Sequence, residues 1–354
     1  MKEIKLEKLK IGGGQPPLII AEMSGNHNQS LERALEIVDA AAAAGAHALK
    51  IQTYTAETMT LDSERPEFMI DDPKSLWHGF SLYKLYQQAA TPWDWHKPIF
   101  ERCRQLGLIG FSTPFDATAV DYLESLDTPC YKIASFENND LPLIRRVAKT
   151  GKPVIISTGL ATKEELGEAV KEILGQGNKN IVLLKCTSSY PASPENSNLL
   201  TIPDLIKNFG CLAGLSDHTL GIGAAVSSVA LGASVIEKHF TLRRADGGVD
   251  AAFSLEPAEL ELLVTETKCA WQALGGIQYG PTDQEKGSLR FRRSLYVVKD
   301  MSAGEAFNRE NIRSIRPGLG ISPKHYDELL GKKVGRAIKK GTPVAWDMVN
   351  RYVK

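Results

Sequence analysis

Short runs of apolar and β-branched residues recur along the first two-thirds of the chain, at 18–22, 48–52, 109–113, 131–135, 154–158, 181–187, 212–217 and 235–240. Between them lie alanine- and leucine-rich stretches with helical spacing, such as 31–44, 118–126, 163–174 and 224–231, the first introduced by Ser30 as a helix N-cap. Regular alternation of strand and helix predicts a parallel sheet, and eight units close into a (β/α)8 TIM barrel more readily than they form an open doubly wound sheet, the runner-up fold. The stretch 55–107 breaks the rhythm: it is rich in Thr, Asp, Pro and Trp and reads as a long loop placed to cover an active site.

After an apolar helical segment at 257–274 the pattern changes at Gly275-Gly276 and Gly280-Pro281. Beyond it come short strand-like pieces at 294–298, 312–315 and 334–337, separated by turn residues. We expect a barrel domain at 1–280, a linker at 281–289 and a small β-rich domain at 290–354.

Composition narrows the function. Lysine plus arginine and aspartate plus glutamate number 42 each, so no excess charge draws the chain to nucleic acid or to an anionic membrane. No apolar run approaches a membrane span, and the charged start lacks a signal-peptide core, which predicts a cytoplasmic protein. The five scattered cysteines form no CxxC pair, which argues against a disulfide framework or a zinc knuckle. Gly12-Gly13-Gly14 precedes the first strand and lacks the P-loop ending, so it is assigned no phosphate-binding role.

In a (β/α)8 barrel the chemistry gathers at the C-terminal ends of the strands. Those ends here carry Glu22, Lys50, Gln52, Thr113, Lys132, Ser135, Ser157, Lys185, Ser188, Tyr190, Asp217, His218, Glu237, Lys238 and His239. Four lysines at strand ends are costly to desolvate without an anion, which points to an anionic substrate over a purely structural network. His218 and His239 end adjacent strands, where two imidazoles can share one divalent ion and leave positions open to substrate oxygens. A lone histidine is more often a hydrogen-bonded core residue; the pairing favours metal.

As a set, the motifs at 20–28 (IAEMSGNHN), 50–52 (KIQ), 112–116 (STPFD), 131–135 (YKIAS), 157–159 (STG), 215–219 (LSDHT), 237–241 (EKHFT) and 253–257 (FSLEP) resemble the sialic acid synthase family. The tail, with Arg292-Arg293-Ser294-Leu295 and 315–321 (IRPGLGI), resembles the antifreeze-like SAF domain that follows the barrel in that family. Within the family, EMSGNHN and the segment 245–254 containing Asp250 are similar to the pseudaminate-forming branch, with the N-acetylneuraminate and legionaminate branches as alternatives.

The resemblance implies condensation of phosphoenolpyruvate with 2,4-diacetamido-2,4,6-trideoxy-L-altrose and water, a transferase reaction. It implies His218 and His239 as ligands of a divalent metal, Mn2+ being the usual ion, bound to the sugar's aldehyde oxygen. Lys50, Thr113, Lys132, Ser135 and Ser157 match positions that hold phosphoenolpyruvate; Glu22, Tyr190 and Asp250 match the sugar site. Ser188 stands where neuraminate synthases usually show asparagine, which speaks against N-acetylmannosamine. Arg316 and Phe291 match tail residues that reach a second subunit's sugar in a domain-swapped homodimer. Two other classes compete: a heptulosonate- or octulosonate-type phosphate synthase, which lacks such a tail, and a non-catalytic sugar-binding protein, which has no need of lysines and paired histidines together.

Overall fold

The computed structural model describes residues 2–73 and 75–349. It divides into two compact units, Met1–Gly275 and Gly276–Lys354.

The first unit opens with an antiparallel hairpin of β1 (Glu3–Leu6) and β2 (Leu9–Gly12). Eight parallel strands follow: β3 (Leu18–Glu22), β4 (Ala48–Thr53), β5 (Ile109–Pro114), β6 (Tyr131–Ile133), β7 (Val154–Ser157), β8 (Ile181–Cys186), β9 (Leu212–Asp217) and β10 (Val235–His239). They close into a barrel in sequence order, β10 pairing with β3 in register Val235↔Leu18 through His239↔Glu22. The expected (β/α)8 architecture is therefore present.

Two apolar layers follow from the period of two along each strand. Ile20, Ala48, Phe111, Ile155, Leu184 and Val235 fill the barrel interior, while Ile19, Leu49, Ile51, Ile133, Leu183 and Ile236 face the surrounding helices. Each of these valine, leucine, isoleucine and phenylalanine side chains contributes about 1.5–3 kcal/mol when fully buried.

The hairpin supplies Ile4, Leu6 and Ile11 to the interior layer and so stops the N-terminal end of the barrel. Gly12 ends it at φ +77°, and an added Cβ there would lie 2.6 Å from both Leu212 and the carbonyl of Lys2. The glycine run thus has a packing role.

Local sequence signals account for the outer helices. Ser30 caps Leu31–Ala43 by accepting from the Arg33 amide at 3.2 Å. Thr162 and Glu165 form a reciprocal capping box at the start of Lys163–Gly175. Pro257 occupies the first turn of Pro257–Leu274, where its missing N–H costs nothing.

The segment expected to be one long loop between β4 and β5 is partly helical. Ala56–Met59 and Leu82–Ala89, capped by Thr55 and Ser81, cover the C-terminal mouth of the barrel. The barrel helix proper is His96–Leu106. Trp77 ties this cover down by donating from Nε1 to the Val249 carbonyl at 2.8 Å.

The second unit is built on antiparallel β11 (Ser294–Val297) and β12 (Ile312–Ile315) around a core of Leu295, Val297, Phe307, Ile312, Leu329 and Val344. The piece at 334–337 is not a strand; Val334 makes only an isolated bridge to Val349. Residues 350–354 of the expected tail domain lie outside the described residues. Among the described residues no helix is long and apolar enough to cross a membrane.

Candidate active site

Alternation along the strands sorts the strand-end residues before any chemistry is considered. Lys50 and Lys132 sit on interior positions of β4 and β6, whereas Lys185 and Lys238 fall on the alternate positions of β8 and β10 that face the helices. Lys238 is 1% exposed and wholly occupied there: Nζ lies 2.8 Å from Asp217 Oδ2 and also donates to the carbonyls of Thr219 and Gly221. Lys185 donates to the Cys186 carbonyl and to Thr187 Oγ1. The set of four lysines therefore reduces to two, because a one-residue step reverses the direction of a strand side chain.

Those two form a buried tetrad with two carboxylates. Lys50 Nζ lies 2.6 Å from Glu22 Oε2 and 3.9 Å from Glu237 Oε1, and donates to Thr113 Oγ1 at 2.9 Å. Lys132 Nζ donates to Ser157 Oγ at 2.6 Å and stands 3.7 Å from Glu237 Oε1. Protein carboxylates thus already offset both ammonium groups, and the burial of these lysines alone does not demand an anionic ligand. Glu237, which strand-end reading saw but gave no role, holds the tetrad together.

The two carboxylates are pushed apart in acidity. Burial raises the Glu22 pKa above the ordinary carboxylate range, against the pull of Lys50 and with a further push from Glu237. For Glu237 burial also pushes upward, but Lys132 and Lys50 together outweigh it and hold this group below the ordinary range. Glu22 is the member of the pair suited to hold a proton, and Glu237 the fixed anion. Gln52 orients Glu22 by donating from Nε2 to Oε1 at 3.0 Å.

His218 and His239 face one another above the tetrad, ring centroids 5.3 Å apart, with Tyr190 4.5 Å from His218 and Phe253 4.9 Å from His239. His218 Nδ1 donates to the Thr187 carbonyl at 3.0 Å, which leaves Nε2 as the lone-pair nitrogen. His239 Nδ1 is buried with no hydrogen-bond partner and lies 3.8 Å from Asp250 Oδ2. Burial, reinforced by nearby cations, drives the His239 pKa well down and keeps the imidazole neutral, the form that ligates metal. Asp250 is fixed in turn by the Ser24 hydroxyl, which donates to it.

A hydroxyl cradle lies beside Lys132. Ser135 Oγ accepts from the Gly159 amide at 3.2 Å. A Cβ on Gly159 would fall 2.3 Å from Ser188 Oγ and 2.6 Å from Ser135 Oγ, so only glycine lets these hydroxyls converge. Glu22, Lys50, Thr113, Lys132, Ser135, Ser157, Ser188, Tyr190, His218, His239 and Asp250 all belong to the barrel mouth. Arg316 and Phe291 belong to the second unit, where they line one hollow of about 550 Å3 with Arg292 and Arg293. Above the histidines a cavity of about 270 Å3 runs under the cover helices. Its residues Tyr54, Met59, Leu82 and Leu85 were missed by strand-end reading because they lie in or beside the irregular segment.

A closed parallel barrel thus carries a buried lysine–glutamate tetrad under paired histidines at its C-terminal mouth. Residues 37–279 match the NeuB family and residues 292–350 the SAF domain; the chain belongs to the NeuB family. It is 44% identical over 339 residues to the pseudaminic acid synthase of Helicobacter pylori, covering 95% of this chain and 99% of that one. Against the pseudaminic acid synthase of Campylobacter jejuni serotype O:2 the identity is 46% over 326 residues, 91% of this chain and 94% of that one. The N-acetylneuraminic acid synthetase of Leptospira borgpetersenii, solved with citrate, superposes with a TM-score of 0.73 at 34% identity, covering 82% of this chain and 96% of that one. The family resemblance read from the motifs is borne out.

Proposed function

We propose that the chain condenses phosphoenolpyruvate with 2,4-diacetamido-2,4,6-trideoxy-L-altrose and water to give pseudaminic acid and phosphate. The observation that carries the reading is the buried Glu22–Lys50–Glu237–Lys132 tetrad beneath the facing His218 and His239. Similarity over nearly the full chain to enzymes named pseudaminic acid synthase supports this choice of sugar.

Lys50, Lys132, Thr113, Ser135 and Ser157 are assigned to the phosphate and carboxylate of phosphoenolpyruvate, whose charges suit ammonium and hydroxyl donors. Carbon 3 of phosphoenolpyruvate attacks the aldehyde carbon, forming the new C–C bond and leaving positive charge at carbon 2. Glu237 is assigned to offset that developing charge, and water adds at carbon 2. Glu22 in its ionised form takes the proton that this water loses and passes it to the former aldehyde oxygen, which becomes a hydroxyl, an exchange that its raised pKa suits. Cleavage of the C–O bond releases phosphate and leaves the 2-keto acid. Tyr190, Ser188 and Asp250 are assigned to the sugar.

NeuB synthases are generally metal-dependent. Among the described residues no group of three or more side chains forms a metal cage. The orphaned Nδ1 of neutral His239 opposite His218 nevertheless fits an open two-imidazole site, and we assign these residues to a divalent ion, Mn2+. When bound, such an ion polarises the aldehyde oxygen as a Lewis acid.

Arg316 and the 56% exposed Phe291 are proposed to reach the sugar from a second copy of the chain in a swapped homodimer. The barrel at 1–280 and the tail at 290–354 are the corresponding domains, and the reaction is proposed to occur in the cytoplasm.

Purified protein with Mn2+ and phosphoenolpyruvate is to be given the altrose derivative or N-acetylmannosamine in separate reactions, with phosphate release and product mass followed. Turnover of the altrose derivative alone supports the proposal. Turnover of N-acetylmannosamine alone overturns the choice of sugar while keeping the chemistry.

A further inference from the structure

Tyr54 stands outside the roles assigned so far. It follows the last residue of β4 and is 3% exposed, its ring held edge-on by Tyr86 at 5.9 Å and Phe115 at 5.1 Å between centroids. Trp93 Nε1 donates to its backbone carbonyl at 3.3 Å, so ring and backbone are both anchored. Its hydroxyl, by contrast, makes no hydrogen bond to any described residue. That oxygen is not one of the fully buried polar atoms without a partner but opens into the cavity, where a bound group can meet it; tyrosines with buried rings ordinarily place this hydroxyl on a partner.

The side chain lines the same cavity as His239 and Asp250, and the neighbouring wall is apolar: Met59, Ile70, Leu82 and Leu85. Burial, then Asp250, Tyr86 and Glu22, push the phenol pKa upward, so the hydroxyl remains a donor at any working pH. A ligand group that completes this corner must offer a hydrogen-bond acceptor to the phenol and a small apolar end to the wall. An acetamido group has both; a sugar hydroxyl has only the first.

Strands rise about 3.3 Å per residue, so Tyr54 stands roughly 13 Å farther along the chain direction than Lys50, toward the cover and away from the reacting centre. We infer that Tyr54 determines sugar specificity by donating a hydrogen bond to the carbonyl of the acetamido group farther from the aldehyde, whose methyl packs on Met59, Ile70, Leu82 and Leu85. This rests on the synthase reading above and adds to it the residue that reads the second acetamido group.

The test compares wild type with Tyr54→Phe, which keeps the ring and removes the hydroxyl, on the diacetamido sugar and on its analogue bearing a hydroxyl in place of the 4-acetamido group. Thermal unfolding of both proteins is recorded alongside. For the variant, kcat/KM on the diacetamido sugar falls about tenfold, the equivalent of one lost hydrogen bond. Its KM for phosphoenolpyruvate and its kcat/KM on the 4-hydroxy analogue stay within about twofold. An equal loss on both sugars, or no loss on either, overturns the inference. Wild type that ignores the diacetamido sugar but turns over N-acetylmannosamine overturns the choice of sugar on which this inference rests while keeping the synthase chemistry, a result read before the variant enters.

Discussion

Lys50 Nζ lies 2.6 Å from Glu22 Oε2 on the neighbouring strand, and both side chains are almost completely buried. A pair of this kind contributes little net stability compared with an apolar replacement, yet breaking it leaves a charge stranded. Lys50→Met is expected to lower stability by about 3–5 kcal/mol and to reduce turnover by roughly a thousandfold. The double variant Lys50→Met/Glu22→Leu recovers much of the stability and none of the turnover. Urea unfolding and phosphate release on the three proteins check this; a double variant as unstable as the single one contradicts it.

Lys238 is equally buried but is turned toward the helices, against Asp217. Lys238→Met is expected to destabilise by about 3–5 kcal/mol, since it strands Asp217. Below its melting temperature its KM values for sugar and phosphoenolpyruvate stay within about threefold of wild type. A KM for phosphoenolpyruvate that rises about tenfold or more contradicts the division of the lysines into interior and exterior sets.

His239 has a buried nitrogen with no partner, and His218 has its Nδ1 proton engaged by the Thr187 carbonyl. His239→Ala should weaken Mn2+ binding at least about a hundredfold, measured by calorimetry without substrates. Chelation should stop wild-type turnover and added Mn2+ restore it. Unchanged Mn2+ affinity in the variant rules out the histidine pair as the metal site.

His27 and His96 are both held to a pKa of about 4 by burial. His27 Nδ1 must be unprotonated to accept from the Gln29 amide at 3.1 Å, while His96 Nε2 lies 2.7 Å from the Thr53 hydroxyl in a buried setting. Because the folded pKa is below the unfolded value of about 6.5, the stability they contribute is complete above that pH and is lost as the pH falls toward 4. The melting temperature should therefore drop across this window, and drop less in His96→Gln. A parallel decline in the variant shows that other groups govern the acid limb.

Arg316 is proposed to act across a dimer. Mixing unfolded and refolded Glu22→Gln and Arg316→Ala chains should restore about a quarter of wild-type activity, since half the dimers are hybrids with one intact site. No recovery, with dimers present by sedimentation, means that Arg316 serves its own barrel or none.

Much of this site could be read from the sequence, because β-strand periodicity and barrel topology act locally and by rule. Eight apolar runs predicted the barrel, and Glu22, Lys50, Lys132, His218 and His239 were singled out as strand-end residues. The same reading grouped Lys185 and Lys238 with the interior lysines. Strand ends tell where along the barrel axis a residue lies; which side it faces depends on a phase of one residue, and the runs alone leave that phase blurred near the ends.

Sequence by itself therefore determined the class of fold, the family and the axial position of the reactive groups, because hydrophobic period and motif spacing are properties of short segments. The tertiary structure alone decided that Glu237 ties both interior lysines together and that Lys238 belongs to Asp217. It also showed that the hairpin stops the barrel and that Tyr54 presents a free hydroxyl beneath a helical cover. Each of these depends on contacts between segments far apart in the chain, where barrel closure, side-chain direction and exclusion of water combine to choose partners that no local pattern specifies.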